Sequence, residues 1–90
     1  MSLAEITAYL HAHIPITRSL GAAAVRHDGT SLTLSAPLAP NLNHRGTAFG
    51  GSMSALALLA GWGVVHLALR DLGVETRLVV QRSAMDFLEP

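Results

Sequence analysis

Asn41, Asn43, His44 and the pair Gly50-Gly51 fall in one short stretch, N-L-N-H-R-G-T-A-F-G-G-S, just ahead of an almost unbroken apolar run. The two glycines would open a helix, where backbone N–H groups lack intrahelical partners and the helix dipole is positive. Such a junction suits an anion or a polarised carbonyl oxygen. The competing explanation is a tight loop-to-helix turn with no ligand. An asparagine amide can orient a water or hold a carbonyl; its commoner job is to close a turn on its own backbone. A histidine such as His44 could serve as a proton carrier, though a loop histidine is more often simply exposed. Ser52 is placed to cap the helix. Neither Ser52 nor Ser54 has an adjacent His or Lys, so a serine nucleophile is unsupported.

Other chemistries fall away on composition and spacing. The chain has no cysteine, which excludes disulfides, thiol catalysis and thiolate metal sites. His11 and His13 are two apart and so lie on different helical faces. No H-E-x-x-H or similar cluster occurs, so neither a metal nor another cofactor is expected. Six basic and six acidic residues cancel, and aromatic residues are few. Nothing there marks a nucleic-acid surface. The first residues lack the basic region and apolar stretch of a secretory leader, and a cytoplasmic setting is expected.

Ninety residues, half of them hydrophobic and 13% charged, predict one small domain with a large apolar interface. The run from Met53 to Leu69 is interrupted by only Ser54 and His66 as clearly polar residues. It falls slightly short of the roughly 20 apolar residues of a membrane span. A buried helix is expected instead, with no membrane as partner, and with His66 a partnered core histidine.

The elements that would position the loop follow from periodicity. Ser2 and Glu5 form a capping-box pattern for a helix from about Leu3 to His13, stopped by Pro15. Residues 20 to 37 predict a β-hairpin about a two-residue Asp28-Gly29 turn, with one buried face. The long helix should run from Gly50 to Leu72, with Gly73 at its C-terminal cap. Gly61 and Gly63 weaken it but admit a close neighbour. Thr76 to Leu88 should be a strand covered on both faces. A helix apolar nearly all round needs sheet wrapped about it, which makes the chain α+β.

This order of elements resembles the hotdog fold, an antiparallel β-sheet around a long central α-helix. Within it, N-L-N-H-R-G-T-A-F-G-G-S followed by A-L-A-L-L-A-G-W-G resembles the thioesterase family typified by the C-terminal domain of the YiiD protein. V-V-Q-R-S-A-M-D-F-L-E-P is similar to that family's strand after the helix. The resemblance covers nearly all of residues 1–90, read as a single domain. Further strands usually follow in such domains, so a truncated domain with an incomplete sheet is expected.

The resemblance implies hydrolysis of an acyl thioester carried on coenzyme A or acyl carrier protein, in a homodimer or higher homo-oligomer. It implies catalytic roles for Gly51, whose N–H would polarise the carbonyl, for Asn43, and for Asp86. Asn41, Phe49, Gly50 and Ser52 would contact substrate, with Phe49 lining the acyl channel. Phe49 stands where many relatives carry a His. The central helix lacks the carboxylate that related enzymes place there, which leaves Asp86, His44 or a partner subunit to supply a base. That lack favours the alternative, a non-catalytic module that binds acyl thioesters or dimerises.

Overall fold

The computed structural model describes residues 1–75 and 77–89. The first helix, α1, spans Leu3–His13. Its start is fixed by the expected capping box: Glu5 N–H donates to Ser2 Oγ at 3.1 Å, and Ser2 N–H donates to Glu5 Oε1 at 3.0 Å. It buries Ile6 and Leu10.

Pro15 does more than end α1. It caps a five-residue helix, α2 (Ile16–Leu20), that the sequence reading missed. A proline's fixed φ suits a helix entry as well as a helix stop, and only the stop was read. Leu20, expected to open the hairpin, is instead the last residue of α2. Gly21 takes φ 70° and turns the chain into the sheet. A Cβ there would also meet Pro37 Cδ at 2.9 Å.

The hairpin pairs β1 (Ala23–His27) with β2 (Leu32–Ser35) in antiparallel register, Ala24 opposite Leu34 and His27 opposite Leu32, with a bulge between Ala24 and Arg26. Its connection is longer than the expected two-residue turn. Residues 28–31 form the loop because Asp28 gathers it: one carboxylate oxygen accepts from the N–H of Thr30 at 3.0 Å and of Ser31 at 2.8 Å, and from both hydroxyls. These donors hold the Asp28 carboxyl down at about 2.

After a 3₁₀ turn at Ala39–Asn41, the chain enters the long helix α3, Gly50–Asp71. Gly73 follows it at φ 71°, and its N–H donates to the Arg70 carbonyl. Helices α1 and α3 pack against the hairpin face that carries Ala24, Leu32 and Leu34, and against each other. One apolar cluster joins Ile6, Leu10, Ala24 and Leu67; a second joins Leu20, Ala22 and Leu59. Gly63 permits the approach of α3 to the sheet, since a Cβ there would lie 2.7 Å from Leu32 Cδ2. Gly61 meets nothing. A ladder of rings ties the other edge of α3 to α1. Tyr9 lies against His13 and His66, at centroid distances of 4.3 and 5.2 Å, and His66 stacks on Trp62 at 4.6 Å. Burial, then the nearby Arg70 and His13 charges, lower the His66 pKa.

Two expectations are corrected. Among the described residues α3 is not a buried helix: only Leu59, Gly63 and Leu67 are buried. Two strands on one side cannot surround it. The expected strand from Thr76 to Leu88 is also absent as a strand. Thr76 lies outside the described residues, and 77–89 pairs with no strand. This segment instead runs back along α3. Leu78 O accepts from Trp62 Nε1 at 2.7 Å. Ser83, Ala84 and Met85 face Ser54, Ala57 and Leu58. The Phe87 ring comes within 3.2 Å of the place a Gly50 Cβ would occupy. Alternating apolar residues gave it a strand pattern, but a strand needs a neighbour's ladder and here the nearest neighbour is a helix.

Candidate functional site

Residues 41–48 form a closed loop that delivers the chain to α3. Leu42 and Ala48 make an antiparallel bridge, and Asn43 N–H donates to Thr47 O at 2.8 Å. The Asn43 side chain fills the interior of this loop. Its Oδ1 accepts from the N–H of Arg45 at 2.8 Å and of Thr47 at 3.1 Å. Its Nδ2 donates to Thr47 Oγ1 at 2.7 Å and, more weakly, toward Ala48 O at 3.4 Å. The amide named as a catalytic candidate is thus committed to its own loop. His44 and Arg45 stand exposed at the tip.

Asn41 is more firmly held. It is buried, and its Nδ2 donates to Leu20 O at 2.9 Å and Pro37 O at 2.7 Å. Its backbone carbonyl accepts from Phe49 N–H at 2.7 Å. One residue therefore joins the end of α2, the exit of the hairpin and the residue before α3. Its amide hydrogens are spent on the protein, so it positions the site instead of offering those donors to a ligand.

Phe49 is the N-cap of α3 and provides no side-chain cap. The helix begins two residues before Ser52, so Ser52 does not make the cap expected of it. Met53 N–H donates to Phe49 O. The N–H groups of Gly50, Gly51 and Ser52 have no hydrogen-bond partner among the described residues. This is the open helix start that the loop composition suggested.

Two cavities flank that start. One, of about 340 Å³, is lined by Asn43, Arg45, Thr47, Ala48, Gly50, Met53, Phe87 and Glu89. The other, of about 140 Å³, is lined mainly by apolar groups: Ala36, Pro37, Leu38, Ala48, Met53 and Leu56, with Asn41 and Ser52. Met53 and Ala48 separate the two. The larger chamber, which includes Gly50, a guanidinium and a carboxylate among apolar walls, thus adjoins a smaller one with almost wholly apolar walls.

The candidates divide accordingly. Gly50 and Asn43 line the larger cavity, and Asn41 and Ser52 line the smaller one. Gly51 is exposed and lines neither cavity, and the Phe49 ring lies beside it: a Cβ on Gly51 would meet that ring at 2.5 Å. Phe49 is half exposed and lines neither cavity. Asp86 is exposed and lines neither cavity either. Glu89 went unread in the sequence. Its only signal was position, two residues beyond Phe87, and that meant little until Phe87 was seen against Gly50.

A model of the family described as "Putative thioesterase (yiiD_Cterm)" matches residues 3–90. Among solved structures, one from Shewanella oneidensis, likewise described as a "putative thioesterase", superposes with a TM-score of 0.90 at 33% identity, over 98% of this chain and 65% of that one. A protein of unknown function from Chlorobaculum tepidum gives a TM-score of 0.91 at 34% identity, over 97% of this chain and 53% of that one. The chain thus spans between about half and two thirds of the solved chains it matches. The long helix against an antiparallel sheet is the hotdog arrangement.

Proposed function

The chain belongs to the YiiD C-terminal thioesterase family, and from that membership we propose that it hydrolyses acyl thioesters at the N-terminal end of α3. The observation that carries the reading is the helix start itself, with three N–H groups lacking partners among the described residues and a cavity on either side. In thioester hydrolysis, water adds to the carbonyl carbon and negative charge builds on the oxygen. Fixed N–H donors at a positive helix end stabilise that charge with no reorganisation. Gly50 and Gly51 supply them, held in place by Asn41 through Phe49 and by the loop closed around Asn43. The acyl group takes the apolar cavity between Leu38, Met53 and Leu56. The thiol carrier, coenzyme A or acyl carrier protein, leaves through the larger cavity past Arg45.

No carboxylate occurs in α3 before Asp71, at its far end. The proton acceptor therefore comes from outside the helix. The same fact gives the second reading its support, a domain that binds acyl thioesters without cleaving them.

The test pairs two substitutions. Gly51→Pro removes an N–H, and Gly51→Ala keeps it while placing a similar Cβ under the Phe49 ring. Turnover should fall by about 10²-fold or more in the proline variant relative to the alanine variant, the scale for losing one oxyanion donor. Equal turnover in the two would take the Gly51 N–H out of the reaction. Tight binding without turnover in the parent would select the binding module.

A further inference from the structure

We infer that Glu89 is the proton acceptor of this reaction, an assignment that rests on the hydrolytic reading above. Of the carboxylates among the described residues, Glu89 alone lines the cavity that contains Gly50. Asp71 stands at the other end of α3, about 30 Å away at 1.5 Å per residue. Asp86 is three residues from Glu89 but lines neither cavity at the helix start. Met85 meets the side of α3, the Phe87 ring meets Gly50, and Glu89 meets the entry loop. Leu88, between the last two, is 91% exposed. From Met85 onward every second residue meets α3 or its entry loop, as in an extended chain. Phe87 and Glu89 thus lie on the helix side, while Asp86 is exposed and lines neither cavity at the helix start. Phe87 then serves as the anchor that brings Glu89 to the donors of Gly50.

The step balances without any further reactant. The Glu89 carboxylate takes a proton from water as the water oxygen bonds to the thioester carbon, and the carbonyl electron pair moves to the oxygen held by the glycine N–H groups. Collapse of this intermediate reforms the carbonyl and breaks the carbon–sulfur bond. The sulfur leaves with the proton from Glu89, giving a free thiol and a carboxylic acid and restoring the carboxylate. Arg45, in the same cavity, brings a positive charge toward the negative charge that develops on the departing sulfur.

The experiment follows thiol release from saturated acyl-coenzyme A esters, from acetyl to palmitoyl, by the parent, Glu89→Gln and Asp86→Asn. Binding of a non-hydrolysable acyl-coenzyme A thioether is measured in parallel. Glu89 is exposed, so the glutamine variant should fold. Glu89→Gln should lose about 10²-fold or more in kcat, bind the thioether as the parent does, and lose the acidic limb of its pH–rate profile. Asp86→Asn should lose at least tenfold less. Glu89→Gln turnover within a few-fold of the parent, or an equal loss in Asp86→Asn, would overturn the assignment and leave hydrolysis standing. No turnover by the parent on any ester would overturn hydrolysis itself, and the role of Glu89 with it.

Discussion

Asn41 donates to Leu20 O and Pro37 O from a buried position. Replacing it with alanine leaves two carbonyls short of a donor and cuts the tie between α2, the hairpin exit and the helix start. We expect Asn41→Ala to cost about 1–3 kcal/mol, the scale for unsatisfied buried polar groups. A urea midpoint unchanged from the parent would show that water replaces the amide. At this scale the sequence is legible where a side chain acts on its neighbours. A turn-closing role for Asn43 was one of two open readings, and its partners prove to lie within five residues. The role of Asn41 was hidden because one of its partners, Leu20, lies 21 residues away. Nothing in local composition points from one to the other. Glu89 was hidden for the same reason, since only the course of the chain along α3 brings it to the loop.

The two glycines within α3 look alike in sequence and differ in surroundings. Gly61 is exposed with open space beside it, whereas a Cβ on Gly63 would lie 2.7 Å from Leu32 Cδ2 and displace the end of that side chain. Gly61→Ala should stabilise the protein by roughly 0.8–1 kcal/mol through helix propensity alone. Gly63→Ala gains the same propensity but must push Leu32 aside, and overpacking typically costs about 1–3 kcal/mol. Thermal melts that rank the two variants the other way would mean that α3 does not seat on the hairpin through Gly63. Helix α1, the hairpin and α3 were readable because each carries its own signal: a capping box, alternation about a turn, a long apolar run. Helix α2 was not, because five residues are too few for periodicity and Pro15 had been read in only one of its two senses. Residues 77–89 show the converse failure, a true alternation without a strand to pair with.

At the scale of the molecule, the outer side of α3 has little cover. Met53 and Val65 on the helix, and Val79 and Phe87 on the segment that crosses it, are all at least 45% exposed. So much apolar surface calls for a partner, in keeping with the homodimer or higher homo-oligomer that the resemblance implies. Sedimentation should show a dimer or larger at micromolar concentration, and a stable monomer would refute this. By length and composition alone α3 could also cross a bilayer, so the same measurement should be made with lipid vesicles present; co-flotation with them would identify a different cover. The contact between Trp62 and residues 77–89 has one more consequence. Trp62 is the single tryptophan; its indole N–H is given to Leu78 and its face to His66. The chain therefore carries an intrinsic fluorophore at the seam between the segment and the helix. Detachment of the segment would hand the indole N–H to water and move the emission to longer wavelength. Protonation of His66 would instead dim it, since an imidazolium quenches indole. Colour would then report whether Glu89 is held in place, and brightness would report the charge of the ring ladder, both without a label.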